Sequence, residues 1–269
     1  MKLKSITIEN FRCFDHFTLT LHPQLTVLVA PNGVGKTTLL DTLRIATWPF
    51  VKAFDLASQT GKSATIQIDD VRRVPNEQGD VEWRIPAQVS VTGDWSQNHL
   101  DQTWWQSRDK IKPRTHPRYS DIKHSPESFA KSLQEKIFQQ QSTTIELPLI
   151  AYLGTGRLWY QGRHDKVADS KLDKSAFSRT WGYKECLSAI SSYKQFEQWF
   201  SWVYISFREQ QLEALESGAT FDEQGNTFKQ SIDVVKKAVN ALTQEATGWG
   251  DIAYLSSAQQ QIVLKHPQH

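Results

Sequence analysis

The chain has 269 residues, of which 39% are hydrophobic and 22% are charged, and its formal net charge at pH 7 is +2. This composition is typical of a soluble globular protein with one large or two small domains, and the charge is too small to indicate a nucleic-acid partner by itself. Cys13 and Cys186 have no metal-ligand spacing. With no secretory h-region and no window of 18 uninterrupted apolar residues, the sequence predicts a cytoplasmic protein.

Two short runs of alternating polarity begin the chain. Leu3 to Ile8 and Phe17 to Leu21 each predict a β-strand, and we expect the two strands to pair in antiparallel fashion. A turn at Pro23 and an apolar run from Leu25 to Val29 follow, and this run predicts a third, buried strand.

The segment after this run carries the pattern of a phosphate-binding loop. Residues 30–38 read A-P-N-G-V-G-K-T-T, and an apolar repeat typical of a helix begins at Leu39. The usual pattern, G-x-x-x-x-G-K-[ST], has Ala30 in place of its first glycine, a change that is tolerated if the position needs only a small residue. A strand, a tight loop and a helix in this order are the context that a P-loop requires.

The chemistry of this loop can be assigned residue by residue. Successive N–H groups of a glycine-rich turn bind an anion, and the positive end of the following helix adds to their field. Gly33 and Gly35 permit close approach of the backbone, Lys36 can reach the β- and γ-phosphates, and the Thr37 hydroxyl can coordinate Mg²⁺. The loop residues that we expect to bind the nucleotide are Asn32, Gly33, Val34, Gly35, Lys36, Thr37 and Thr38.

Two motifs in this region resemble the ATPase heads of the RecF, SMC and OLD (overcoming-lysogenisation-defect) group. They are I-x-I-E-N-F-R-x-F at residues 6–14 and P-N-G-x-G-K-T-T-L-L at residues 31–40. The resemblance implies an α/β P-loop NTPase of the ATP-binding-cassette (ABC) type, with a mixed sheet and a helical lobe, that binds ATP and Mg²⁺. It also implies that Arg12 lies over the nucleotide phosphates and Asn32 near the γ-phosphate. The alternative for Arg12 is an ordinary surface arginine after a strand.

Further strands are predicted at residues 64–68 and 82–91, with a turn at residues 76–80 between them. Asp69 and Asp70 precede that turn. Because adjacent residues on a strand point to opposite faces, we interpret these two as solvated charges rather than as a metal pair.

Residues 92–124 are strongly polar, and we predict a basic insertion there. Basic side chains beside aromatic rings can hold nucleic-acid phosphates while a base stacks on an indole ring. A solvated loop whose tryptophans pack back onto the sheet is the favoured alternative. The candidate nucleic-acid contacts are Trp104, Trp105, Arg108, Lys110, Lys112, Arg114 and Arg118.

The middle of the chain predicts a helix and then a strand. Ser125 and Pro126 are typical of a helix start, and the apolar run from Ile145 to Leu153 predicts a buried strand that ends in a tight turn. Arg157 follows the turn, where it could face the nucleotide or a partner, or could tie the strand end to the next loop.

Three segments are similar to the ATPase subunits of Septu anti-phage systems, PtuA, which also accompany some retrons. They are L-P-L-I-A-Y-L-G-T-G-R-L-W at residues 147–159 and the stretches at residues 181–187 and 194–200. The similarity implies an antiviral-defence complex in which the ATPase pairs head to head and controls an HNH nuclease. In the retron context it implies a reverse transcriptase and retron RNA or DNA as further partners.

The last third of the chain predicts two helices and a strand. Apolar residues three and four apart predict helices at residues 192–216 and 227–245, and alternation returns at residues 252–265. We therefore divide the chain into a nucleotide-binding lobe at 1–165, a helical lobe at 166–250 and a returning strand at 251–269.

The acidic residues of an ABC-type hydrolase are missing after the P-loop. No apolar run ends in Asp-Glu there, and residues 255–259, L-S-S-A-Q, lack the glycine of the LSGGQ signature. We interpret the chain as the N-terminal portion of a longer ATPase; a degenerate protein that binds ATP without hydrolysing it is the rival interpretation. The expected function is that of a defence ATPase, with a RecF- or OLD-type DNA-repair ATPase, or an ATP-dependent scaffold, as alternatives.

Overall fold

The computed structural model describes residues 1–55, 64–95, 101–120, 125–140, 145–154, 179–184, 186–188, 193–255 and 261–266. These residues form two compact units. The first contains the described residues up to 154 together with residues 179–188, and the second contains those from 193 onward.

An antiparallel sheet of five strands is the centre of the first unit. The strands are β1 (Lys2–Phe11), β2 (Phe14–Thr20), β5 (Ala87–Asp94), β6 (Asp101–Arg108) and β7 (Arg118–Tyr119), in the spatial order β2-β1-β5-β6-β7. The predicted pairing of the first two strands is confirmed, with Ile8 opposite Phe17. The described strands pair only in antiparallel fashion, whereas a mixed sheet was expected.

The two faces of this sheet differ in polarity because side chains alternate along each strand. On one face a row of apolar residues runs across the strands from Leu19 through Ile6 and Val91 to Trp104. This face packs against α1 (Lys36–Lys52) through a buried cluster that includes Leu39. The opposite face is polar, and hydroxyl pairs such as Thr92 with Thr103, 2.8 Å apart, join its neighbouring strands.

A second apolar cluster joins α1 to α2 (Pro126–Gln140). Phe50 contacts Phe129 with ring centroids 6.0 Å apart, and Phe54 stacks on Tyr183 at 4.5 Å. The predicted start of α2 is confirmed, since the Ser125 hydroxyl accepts a hydrogen bond from the N–H of Ser128 at 3.2 Å. Tyr183, Cys186 and Leu187 thus belong to the core of the first unit.

The predicted insertion at residues 92–124 is wrong for its central part. β6 and β7 lie within this range and extend the main sheet, and Gln106 on β6 is fully buried. Its side-chain oxygen accepts a hydrogen bond from the N–H of Ile66 at 2.6 Å. Polar residues are abundant here because one face of the strand is open, and because Gln106 and Arg108 on the buried side bind backbone groups through Oε1 and the two Nη atoms.

The predicted strand at 64–68 is wrong, and the strand predicted at 82–91 has different bounds. Ile68–Asp70 is a 3-10 turn, and a short hairpin of β3 (Arg73–Pro75) and β4 (Val81–Trp83) encloses the predicted turn at residues 76–80. Within the 82–91 range, β5 begins at Ala87.

Two apolar runs that predict buried strands do not form strands. Residues 22–31 and 145–154 contain no strand. Val29 in the first run is 91% exposed, and Leu149 in the second is 97% exposed. Both strand predictions are therefore wrong, although Leu28 in the first run and Leu147 in the second are half-buried against the apolar clusters.

The second unit contains α3 (Tyr193–Ser217), α4 (Thr227–Thr247) and the hairpin of β8 (Gly250–Leu255) and β9 (Gln261–Lys265). Both predicted helices are confirmed. The Asn226 side chain caps α4 by accepting hydrogen bonds from the N–H groups of Phe228 and Lys229, both at 3.0 Å. The single returning strand is instead a hairpin, and most of the L-S-S-A-Q segment falls outside the described residues. No helix among the described residues is long and apolar enough to span a membrane.

Candidate nucleotide-binding site

The P-loop has the backbone conformation that its glycines predict. Gly33 has a φ of 86° and Gly35 a φ of 108°, both in the left-handed region that favours glycine. Gly35 is the N-cap of α1, which begins at Lys36. The turn therefore directs the chain into the helix so that the first N–H groups of α1, which have no partners within the helix, face the loop.

The side chains of the loop are available to a ligand. The Lys36 ammonium donates hydrogen bonds to the carbonyl oxygens of Ala30 and Pro31, at 2.6 and 2.7 Å, and thus lies across the loop itself. Thr37 is exposed and Thr38 is half-buried. The loop can therefore offer a cation, a hydroxyl and backbone donors to an anion without breaking a buried contact.

The turn between β1 and β2 packs directly against the P-loop. A Cβ atom added to Gly35 would lie 2.7 Å from Cys13 Sγ and 2.7 Å from Phe14 Cζ. The residue before this pair, Arg12, has a φ of 48°, and its N–H donates to the carbonyl oxygen of Asp70 at 2.7 Å. The hairpin turn is thereby held between the P-loop and the 3-10 turn at residues 68–70.

Arg12 is bound by two carboxylates that come from different elements. Its Nε donates to Asp70 Oδ1 at 2.8 Å, and its Nη1 donates to Asp41 Oδ2, on the second turn of α1, at 2.7 Å. Burial lowers the pKa of Arg12, but the two carboxylates outweigh this effect and the pKa is raised overall. Arg12 is therefore neither the free surface arginine of the alternative interpretation nor placed by the β-hairpin alone.

Tyr152, in the apolar run at 145–154, binds one of the two carboxylates that hold Arg12. Its hydroxyl donates to Asp41 Oδ1 at 2.9 Å, and the Arg44 guanidinium lies 5.4 Å from its ring centroid. Burial and the neighbouring Asp41 raise the pKa of Tyr152, so the hydroxyl stays protonated and can donate.

The interpretation of Asp69 and Asp70 as two solvated charges holds for only one of them. The Asp69 side chain is 90% exposed, but Asp70 is buried, with an 11% exposed side chain. Among the described residues no cluster of three or more His, Cys, Asp or Glu side chains could hold a metal ion. The signal that was missed is the 3-10 turn, which directs two consecutive side chains differently from a strand.

Two of the candidate nucleic-acid contacts are structural. Trp104 is 3% exposed in the sheet core. Arg108 is 4% exposed and donates through Nη1 to the carbonyl oxygen of Ile66 and through Nη2 to that of Thr115, both at 3.1 Å. Neither side chain can reach a nucleic acid, so the prediction of a nucleic-acid contact is wrong for Trp104 and for Arg108.

The other candidates lie on accessible surface. Trp105 is half-buried on the polar face of the sheet and lines a hollow of about 500 Å³ together with Arg118. Arg118 also pairs with Asp109 at 2.9 Å. The remaining candidates, all exposed in the loop between β6 and β7, are Lys110, Lys112 and Arg114. Arg157 lies outside the described residues.

A family model described as an AAA domain matches residues 5–247. The chain belongs to the AAA domain family. The chain is 42% identical over 106 residues to the DNA replication and repair protein RecF of Staphylococcus aureus. The aligned region covers 38% of this chain and 28% of RecF. The chain is also 42% identical over 55 residues to the OLD nuclease of Thermus scotoductus, which is 19% of this chain and 10% of that nuclease.

The matched region thus spans less than a third of the RecF sequence and a tenth of the OLD nuclease. The chain can also be superposed on a solved structure from work on ATP-driven dimerization and DNA-stimulated activation of SMC ATPases. The superposition covers 55% of this chain and 87% of the solved chain, with 11% sequence identity and a TM-score of 0.35. The predicted fold class, a P-loop ATPase of the ABC type, and the resemblance to the RecF and OLD group are confirmed. The similarity to PtuA stays a prediction.

Proposed function

We propose that this AAA domain binds Mg·ATP at residues 32–38, with Arg12 beside the phosphates. The observation that carries the proposal is the conformation of the P-loop, in which Gly33 and Gly35 have positive φ and α1 begins at Lys36. Lys36 would exchange its two carbonyl partners for phosphate oxygens, and Thr37 would supply a hydroxyl ligand to Mg²⁺.

Hydrolysis of ATP needs more than these residues supply. Phosphoryl transfer is catalysed by positioning and by charge stabilisation, and a side chain must orient the attacking water. Two carboxylates beside the hairpin turn, those of Asp41 and Asp70, already bind Arg12. We therefore propose that hydrolysis takes place in a larger assembly, in which two heads pair across the nucleotide and a further acidic residue orients the water.

Replacing Lys36 tests nucleotide binding. The variant Lys36→Ala should bind ATP at least tenfold more weakly, because hydrogen bonds to charged groups contribute about 1.5–3 kcal/mol. Titration with ATP and Mg²⁺ by calorimetry measures this change. Lys52→Ala, in the last turn of α1, is the matched control and should bind as the parent chain does. Unchanged ATP affinity in Lys36→Ala would refute the proposal.

The biological role that we propose is that of an anti-phage defence ATPase of the Septu or retron kind, which controls an HNH nuclease. Support comes from the similarity of residues 147–159, 181–187 and 194–200 to PtuA. Co-purification of the chain with an HNH nuclease, with or without a reverse transcriptase and retron RNA or DNA, tests this role. ATP-dependent pairing of the chain is tested by sedimentation with and without ATP.

A DNA-repair role of the RecF or OLD type is the second candidate. Support for it comes from the sequence similarity to RecF and to the OLD nuclease. The polar sheet face with Trp105 and the exposed cations of the β6–β7 loop favour contact with nucleic acid. A variant carrying Trp105→Ala and Arg114→Ala should bind single-stranded DNA less tightly and with a weaker salt dependence. Trp83→Ala, in the β3–β4 hairpin, is the control. Equal DNA binding by all three chains would exclude this surface.

A further inference from the structure

The Arg12 guanidinium is fixed at two of its three nitrogen atoms. Nε and Nη1 each donate to a carboxylate, at 2.8 and 2.7 Å, whereas Nη2 has no hydrogen-bond partner among the residues that the structure describes. The Arg12 side chain is 33% exposed, while those of Asp41 and Asp70 are 14% and 11% exposed. The carboxylates are thus largely shielded from water and the third nitrogen of the arginine remains available.

Each carboxylate is itself held by a second partner. Asp70 Oδ2 accepts a hydrogen bond from the N–H of Gln67 at 2.8 Å, and Asp41 Oδ1 accepts one from the Tyr152 hydroxyl at 2.9 Å. Asp70 also accepts the backbone N–H of Arg12 through its carbonyl oxygen at 2.7 Å. One oxygen of each carboxylate is thus bound by a group other than Arg12, so the fold helps to fix the positions of both carboxylates.

This arrangement lies beside the anion-binding loop. The residues that follow Arg12, Cys13 and Phe14, contact the P-loop at Gly35. Asp41 lies five residues after Lys36 on α1, the helix whose first N–H groups face the loop. Arg12 thus bridges the helix that begins at the loop and the hairpin turn that contacts it.

We propose that Asp41 and Asp70 are positioning residues, which together with Tyr152 hold Arg12 so that its Nη2 contacts the terminal phosphate of a bound nucleoside triphosphate. The inference rests on the proposed function. A guanidinium has a planar set of donors, so two bonds to fixed carboxylates determine the direction of the third. A lysine could not make these three contacts in one plane. The cluster thereby gives the site a preference for a triphosphate over a diphosphate.

The ratio of two affinities tests the proposal. The dissociation constants of ADP and of a non-hydrolysable ATP analogue are measured at fixed Mg²⁺ for the parent chain and for Asp41→Asn, Asp70→Asn and Arg12→Lys. We expect the parent chain to prefer the ATP analogue and each variant to lose about tenfold of that preference, since one charge-assisted hydrogen bond is lost or misdirected. Binding of ADP should change little.

A matched control and a milder variant accompany these substitutions. Asp69→Asn removes the neighbouring exposed carboxylate, which pairs with Arg73, and should leave the ratio unchanged. Tyr152→Phe removes only the hydroxyl behind Asp41 and should lower the preference about threefold. If Asp41→Asn or Asp70→Asn does not fold, as judged by circular dichroism, Tyr152→Phe decides.

The outcomes separate the two proposals. A parent chain that binds neither nucleotide refutes the proposed function. A parent chain that binds both equally, or folded variants that keep the preference of the parent chain, overturns only the positioning of Arg12. A loss of thermal stability with an unchanged ratio would show that the Asp41–Arg12–Asp70 cluster is structural, and this outcome also overturns the proposal.

Discussion

The β1–β2 hairpin and the segment that follows it have similar apolar content but very different surroundings. β1 lies between β2 and β5, and its Ile6 and Ile8 are fully buried. Residues 22–31 form no strand and lead into the P-loop, and there Val27 is 69% exposed and Val29 is 91% exposed. An alternating apolar run becomes a buried strand only where neighbouring strands pair with it. The rigid sheet thus presents Arg12, whereas the phosphate-binding loop is joined to it by an unpaired segment.

A matched pair of valine substitutions tests this contrast most strongly. Val89 on β5 is fully buried, so Val89→Ala should lower the free energy of unfolding by about 2–3 kcal/mol through lost burial and a residual cavity. Val29→Ala should change it by less than about 0.5 kcal/mol. Urea unfolding followed by circular dichroism measures both. An equal loss at the two positions would show that residues 22–31 are covered in solution and would remove the contrast.

Two glycines of the P-loop provide a smaller and more local test. At Gly35 an alanine would combine a φ of 108° with a Cβ that approaches Cys13 and Phe14 at 2.7 Å, and we expect a cost of about 2 kcal/mol. At Gly33 the φ is 86° but the surrounding space is open, so we expect about 1 kcal/mol. Thermal unfolding of the two alanine variants measures the difference. A larger effect at Gly33 would contradict the contact between the hairpin turn and the loop.

Local patterns predicted the elements that depend on neighbouring residues. The first two strands, the P-loop helix, the start of α2 and the helices α3 and α4 are all confirmed, because capping, glycine turns and apolar periodicity act over a few residues. The favoured alternative, in which the tryptophans pack onto the sheet, holds for Trp104, but Trp104 lies in strand β6 rather than in a loop because it pairs with Val91 of β5.

In the candidate site, too, residues that are adjacent in sequence were predicted and residues that are distant in sequence were not. The P-loop residues are contiguous, and their motif identified them. The cluster around Arg12 was only partly visible, because Asp41, Asp70 and Tyr152 are brought together by the fold. The hydrogen bonds of Arg12 to Asp41 and to Asp70 span 29 and 58 residues, and that of Tyr152 to Asp41 spans 111. No short-range pattern marks such a set.

The smallest expected effect concerns the link between α1 and α2. Glu127 on α2 binds Lys52 of α1 at 3.2 Å and Lys131 at 2.9 Å. Burial raises the pKa of Glu127, but the two lysines outweigh this effect and the pKa is lowered overall from 4.5. A carboxylate whose pKa is lower in the folded state stabilises the fold above its unfolded pKa, and this contribution is lost as the pH falls through the folded pKa.

Glu127→Gln should therefore lower the free energy of unfolding by less than about 1 kcal/mol at pH 7, since the pairs are partly exposed. The difference from the parent chain should disappear in acid, once the pH has fallen through the lowered pKa of Glu127 and the carboxylate is protonated. Glu135→Gln, at an exposed position of α2, is the control and should show no difference at either pH. Urea unfolding at the two pH values measures the change. A difference that persists in acid would mean that Glu127 acts through packing between the helices rather than through its charge.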